Sequence, residues 1–189
     1  VVRGKEREDA ILAATIELVG ELGYAGLTMD AVAARAQASK ATIYRRWRNK
    51  AQLVKAALDA YDARQNEAIP DTGELRADLY AVMRALRERA SESYLAMING
   101  LIAAAKHDPE LDEALKEHVA NEEVSPFLVS LRRAVDRGEL PPDADSELVH
   151  DVAESMILRQ LSTGPFDEAF IARVVDDVLM VLLKRGGTE

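Results

Sequence analysis

The sequence predicts an all-α protein: an N-terminal three-helix helix-turn-helix domain joined to a larger helical domain, about nine helices in all. Three observations predict it. Apolar residues recur at intervals of three and four, as in Ile11, Ala14, Leu18 and Leu22. Period-two alternation is absent, as are Asn-Gly and Asp-Gly hairpin signals. Residues that cap or stop helices divide the chain at helical lengths.

Taken in order, a first helix begins near Arg3 and ends at Gly23. Thr28 caps a short second helix through Ala36. Ser39 caps a third, ending near Trp47. Asn49, with Gln52 three residues on, resembles a capping box and opens a helix to about Asn66. The turn at residues 69–73 (IPDTG) follows. Helices are expected over Glu74–Glu92 and Ser93–Lys106. Asp108-Pro109 supplies an N-cap with Pro at the first helical position. That helix is expected to run towards Arg137 with a kink at Pro126, whose ring crowds the preceding turn. GELPPD breaks the chain again, and two last helices cover about Asp145–Leu161 and Asp167–Lys184. The domain division expected is 1–50 for the helix-turn-helix domain, connected through the helix over 49–66, and 51–189 for the rest.

Composition narrows the class. An apolar content of 48% in 189 residues supports a packed core. The chain has no Cys, which excludes disulfides and thiol catalysis. Its longest apolar run, Val178 to Leu183, is far short of a bilayer span of about 18 residues. The opening VVRGKERED is charged and has no apolar core of a signal peptide, so a cytoplasmic protein without membrane partners is expected. Net charge is −9 but uneven, with +4 over Val1–Lys55 and −13 beyond. Seven cations and no acid fall between Ala31 and Leu58. Such a field orients the basic end towards a polyanion.

The last two helices are broadly apolar. Leu148, Val149, Val152, Met156, Ile157, Leu158 and Leu161 in one, and Phe170, Ile171, Val174, Val175 and all of Val178 to Leu183 in the other, exceed a single stripe on the helical wheel. Of these, Leu148, Val152, Met156, Phe170, Val174, Val178 and Leu182 are the expected interface residues. One face then serves the chain's own core. The other is expected to meet a second copy in a homodimer.

The segment SKATIYRRWRNK carries five cations, a Tyr and the chain's single Trp, without an acid. On a wheel, Ile43 and Trp47 face inward. Ala41, Thr42 and Arg45 lie on the opposite side, flanked by Tyr44 and Arg46. Ser39 and Lys40 are at the helix start and Lys50 lies past its end. Small and hydrogen-bonding residues at the centre with cations at the margins suit a DNA major groove about 12 Å wide. With the preceding helix, across Gln37-Ala38, this forms a helix-turn-helix whose second helix reads double-stranded DNA.

The stretch from Gly23 to Leu58 resembles the DNA-binding domain of the TetR family of bacterial transcriptional regulators. Matching residues are Gly23, Leu27 and Thr28, then Val32, Ala33 and Ala36. Ser-Lys-x-Thr-Ile-Tyr followed by Trp47 also matches, as does Asn49-Lys50 with Leu53-Val54. The resemblance implies that Lys40, Thr42, Arg45 and Arg46 read bases or nearby phosphates. It implies that Tyr44 and Lys50 hold the backbone and that Thr28 sits at a helix start. One departure stands out: the family usually has Gly at the turn, and here it is Gln37. If the site needs a positive φ, a side chain there costs on the order of 1 kcal/mol.

The resemblance further implies a small-molecule effector in the C-terminal domain. Its expected lining is apolar: Leu79, Met83, Leu86, Tyr94, Met97, Ile98, Leu101 and Phe127. His118 with Glu122, and His150 with Glu147 and Glu154, have spacings that metal ligands can adopt, but such pairs are far commoner as helix-surface contacts, so neither metal nor cofactor is expected. No Gly-rich phosphate loop or Ser-His-acid set marks an enzyme. The reading is a ligand-responsive dimeric repressor on a palindromic operator. Two rivals are a DNA-binding activator or architectural protein without effector, and a helical metabolite carrier or enzyme with a basic face.

Overall fold

The computed structural model describes residues 2–66, 71–121 and 125–185, and all regular structure among them is helical. The helices are α1 (Val2–Gly26), α2 (Met29–Arg35), α3 (Lys40–Tyr44), α4 (Lys50–Asn66), α5 (Leu75–Arg89), α6 (Glu92–Ala105), α7 (Pro109–Val119), α8 (Pro126–Asp136) and α9 (Ser146–Thr163). The last runs as α10 (Glu168–Ala172), a π-helical stretch over Arg173–Leu179, and α11 (Met180–Arg185). No helix among the described residues is long and apolar enough to cross a membrane.

Local chemistry explains most boundaries. Gly23, at φ 67° and ψ 172°, interrupts α1 where the sequence places the stop. The side chains of Thr28, Ser39, Asn49, Asp108, Asp145 and Asp167 each accept a backbone N–H of the following first turn. Such a cap is worth about 1 kcal/mol. Ser91, not Ser93, caps α6.

The single helix expected from Asp108 to Arg137 is two. α7 stops at Val119, and α8 restarts at Pro126 with Ser125 capping Leu128. Pro126 lacks an N–H, so it suits the first position of a new helix better than the interior of a long one. In the last helix, i→i+5 bonding carries more residues per turn than the α-helix. Phe170, Ile171, Val174, Val175, Leu179 and Leu183 are all buried. On an ideal α wheel they spread over more than half the circumference. The wider turn draws them onto one stripe. Much of the apparent two-facedness is therefore a change of helical pitch.

The chain forms two compact units, 1–65 with 91–124, and 66–90 with 125–189. Packing thus groups α6 and α7 with the N-terminal helices. In the first unit, Ile11, Leu27, Val32, Ile43, Trp47, Leu53 and Leu58 share one core with Met97, Leu101 and Leu111. In the second, Leu75, Leu79 and Met83 pack with Phe127, Leu131, Ile157, Ile171 and Val175.

Candidate nucleic-acid interface

The helix-turn-helix is built from short-range bonds. Thr28 accepts from Ala31 N at 3.1 Å and starts α2. α2 ends in a Schellman motif: Ala38 N donates to Ala33 O at 2.9 Å and Gln37 N to Ala34 O at 3.3 Å. Gln37 is left-handed, with φ 50°. The turn therefore keeps the geometry that glycine favours, and Gln37 carries its strain. Ser39 then accepts from Thr42 N at 3.2 Å and opens α3. Regular α3 ends at Tyr44, yet Arg46 N and Trp47 N both donate to Ile43 O at 2.9 Å, so the helical turn continues to Trp47.

Ile43 and Trp47 are buried, as their wheel positions require. That seating turns Ala41, Tyr44, Arg45, Arg46 and Arg48 outward. Tyr44 is 54% exposed, a large fraction for an aromatic ring with no role in the core. Thr42 is half-buried, its hydroxyl 2.9 Å from that of Ser39.

Behind this face, Arg35 clamps α2 to α1. It donates to Glu21 at 3.1 and 2.8 Å and to Glu17 at 3.1 Å. The Arg35 hydrogen bond holds the Glu21 carboxyl below the usual range. Other cations of the basic block are also engaged. Lys40 Nζ lies 2.6 Å from Asp30 Oδ2, and Arg46 pairs with Glu8. Lys50 turns inward, donating to Tyr24 O at 2.8 Å with its ammonium 4.0 Å from the Tyr24 ring centre. Its expected part as a backbone-holding cation thus competes with a structural one. Sequence reading missed this because a contact between α1 and the start of α4 depends on how the helices pack. Arg45 and Arg48 have no ion pair among the described residues.

The end of α1 is also tied to α7. Tyr24 Oη donates to Asp108 Oδ2 at 3.0 Å, the same carboxylate that caps α7. Burial and the Asp108 hydrogen bond push the Tyr24 phenol up. Further along, His118 Nδ1 lies 2.6 Å from Asp59 Oδ1 and Nε2 3.4 Å from Asp62 Oδ2, fastening α7 to α4. Burial pulls the imidazole down, but the two carboxylates override it and raise the pKa to about 9. Asp59 in turn pairs with Lys55 at 2.8 Å. Glu122, the residue read beside His118, lies outside the described residues. His150 is buried, with Nδ1 3.0 Å from Ser125 Oγ and Nε2 3.7 Å from Glu154.

The chain is similar to known proteins in sequence and in overall fold. Residues 11–57 match the family model described as bacterial regulatory proteins, tetR family, and residues 69–178 match that of the tetracyclin repressor-like C-terminal domain. The chain belongs to the TetR family of bacterial transcriptional regulators. It is a regulator of transcription and not an enzyme. It is 50% identical over 187 residues to a protein of Mycobacteroides abscessus named DNA-binding transcriptional repressor TetR, with 98% of each chain covered. It is 34% identical over 181 residues to an uncharacterised HTH-type transcriptional regulator of Mycobacterium tuberculosis, covering 95% of this chain and 89% of that one. The crystal structure of a TetR family transcription regulator superposes with a TM-score of 0.72 at 31% identity, covering 93% of this chain and 97% of that one.

The residues expected to line an effector site divide between the two cores. Tyr94, Met97, Ile98 and Leu101 pack in the first unit. Leu79, Met83, Leu86 and Phe127 pack in the second. Helical periodicity identifies buried faces but does not say which buried faces meet. Of the residues expected at a dimer interface, Phe170 and Val174 are covered within their own unit and have no surface to offer a second copy. Leu148 remains exposed, and Val152, Met156, Val178 and Leu182 are half-buried. Leu158 and Val181, which the wheel did not single out for the interface, are exposed as well.

Proposed function

We propose that the protein is a homodimeric repressor that binds a palindromic DNA operator and is released by a small hydrophobic effector. The supporting observation is the outward face of Ser39–Trp47: small at Ala41, hydrogen-bonding at Thr42 and Arg45, with Tyr44, Lys40 and Arg46 at its margins. The Mycobacteroides abscessus relative, alike over nearly its whole length, is a DNA-binding transcriptional repressor, which favours repression. In this reading residues 1–50 form the DNA-reading head, and 51–189 carry effector binding and dimerisation. Two heads related by a twofold axis require half-sites about 34–36 Å apart or a multiple of that. By linkage, operator DNA weakens effector binding by the factor that the effector weakens DNA binding, typically 1–3 kcal/mol.

Fluorescence anisotropy on DNA flanking the protein's own gene, against a scrambled duplex at one salt concentration, tests the reading. The expected result is a preference of about a thousandfold or more, with two protomers per site. Equal affinity for that DNA, for scrambled DNA and for every duplex in a random-sequence selection would overturn it.

A further inference from the structure

We propose that Asp30 and Glu8 are built-in counter-ions of the DNA-reading face and hold its affinity for DNA below what its cations alone would give. The proposal rests on the reading that this face binds DNA. Its basis is a pairing pattern. Lys40 opens α3, and its ammonium is 2.6 Å from Asp30 Oδ2 in the first turn of α2. Both side chains are more than half exposed, 59% and 62%, so the pair sits on the surface and not in the core. Arg46, at the other margin of the face, pairs with Glu8 of α1. Neither acid serves as a cap: Thr28 already caps α2, where Asp30 sits, and Glu8 lies inside α1.

A cation paired with a carboxylate brings no net charge to a phosphate. For Lys40 to reach the backbone it must leave or share Asp30, and the carboxylate then stays within a few ångströms of that phosphate. The repulsion between two unit charges at such range, in an aqueous interface, changes affinity by about threefold to tenfold. Counter-ion release scales with net charge delivered, with a slope of about −0.9 per phosphate neutralised. The two acids therefore cancel part of both the affinity and its salt dependence. Because they act through charge, they weaken binding to all sequences. A regulator benefits in two ways: non-specific sites sequester less of it, and an effector that weakens binding by about 5–150-fold empties a weaker operator complex more completely.

The experiment is a salt titration of anisotropy on a scrambled duplex for Asp30→Asn, Glu8→Gln and the double variant, with Lys40→Ala and Arg46→Ala alongside. The amides keep shape and hydrogen bonding. Each acid variant is expected to bind about threefold to tenfold more tightly at fixed salt, with a slope steeper by about 0.9, and the two effects add. Thermal unfolding is expected to change little, since exposed pairs contribute little stability. Unchanged or weaker binding by the acid variants, while Lys40→Ala and Arg46→Ala weaken it, overturns the counter-ion role alone. If Lys40→Ala and Arg46→Ala also leave binding unchanged, the placement of DNA on this face falls with it.

Discussion

Gln37 and Gly138 close two helices with the same pair of hydrogen bonds and the same left-handed backbone. In each, the N–H of the left-handed residue and that of its successor reach back to the last turn, at Ala34 and Ala33 in one case and Val135 and Ala134 in the other. Their φ values are 50° and 76°. A side chain in that conformation costs roughly 1–2 kcal/mol that glycine avoids. Gln37→Gly is therefore expected to stabilise the protein by about 1 kcal/mol, net of the greater freedom of an unfolded glycine. Gly138→Ala is expected to destabilise it by a similar amount. A Cβ at Gly138 meets nothing within 4 Å, so that cost is conformational and not steric. Chemical denaturation of both variants checks the pair, and equal stability of all three proteins would show that neither turn carries strain.

The sequence made the caps legible because a cap is local. Thr28, Ser39, Asn49, Asp108, Asp145 and Asp167 act within three residues of themselves, and each stands where its helix begins. Inward placement of Ile43 and Trp47 was legible for the same reason. Ser125-Pro126 carried an equally local start signal, but the apolar period continued across it and was followed instead. The π-helical stretch left no mark in residue type, so the 100° wheel misplaced Phe170 and Val174. Pairing across the fold was not legible at all. Nothing in the motif places Tyr24 over Lys50, Asp30 on Lys40 or Asp59 on His118, because those contacts depend on how helices pack.

His118 predicts an alkaline limit to stability. On α7, it faces Asp59 and Asp62 of α4, with Lys55 on the far side of Asp59. Its pKa is raised to about 9, above an unfolded value near 6.5. A raised pKa means that the contribution is complete below about pH 6.5 and is lost as pH rises through about 9. The expected loss is on the order of 3 kcal/mol between those values. Denaturation midpoints from pH 6 to 10 should therefore fall in the wild type and stay flatter in His118→Gln, which is less stable at pH 6. Parallel profiles for the two proteins would remove His118 from the alkaline limb.

Asp78 predicts the acid limb. It is fully buried in the second unit, accepting from Thr72 N and Oγ1 at 2.7 Å each and from Arg137 at 3.0 Å. Arg137 also donates to Asp71 at 2.8 Å, joining the end of α8 to the approach to α5. Burial pushes the Asp78 carboxyl up, but the Thr72 and Arg137 hydrogen bonds outweigh it and leave the carboxyl below its usual value. Its stabilising contribution is present above the unfolded carboxylate value and is lost as pH falls through the lower folded one. Arg137→Met leaves Asp78 short of its cation and is expected to cost about 3 kcal/mol, the low end for a broken buried pair because Arg137 keeps some exposure. Acid unfolding should begin at higher pH in that variant. An unchanged acid midpoint would mean that Thr72 alone holds the charge.

The proposed dimer can be separated from the protomer's own core. Val174 is fully buried, so Val174→Asp is expected to unfold the second unit. Leu148 and Val181 are 46% and 40% exposed, so charges there do not enter the core. Leu148→Arg with Val181→Arg is expected to give folded monomers by sedimentation velocity, with the helical circular dichroism of the wild type. If the double variant remains dimeric, the interface lies on another face.

Arg45 separates base reading from phosphate holding. It follows α3 in right-handed conformation, is exposed, and has no ion pair among the described residues, unlike Lys40 and Arg46 beside it. A free guanidinium on the side opposite Ile43 and Trp47 can offer two parallel donors to a guanine edge. Arg45→Ala is then expected to cost 1–3 kcal/mol on the operator and much less on scrambled DNA, so the sequence preference falls. Lys50→Ala provides the contrast. Its ammonium already serves the Tyr24 carbonyl and ring, so the variant is expected to lower thermal stability and to weaken all DNA sequences alike. Anisotropy on both duplexes at several salt concentrations decides the assignment. Equal losses on operator and scrambled DNA for Arg45→Ala, with a slope flatter by about one unit, would make Arg45 a phosphate contact and move base reading to Thr42 and Tyr44.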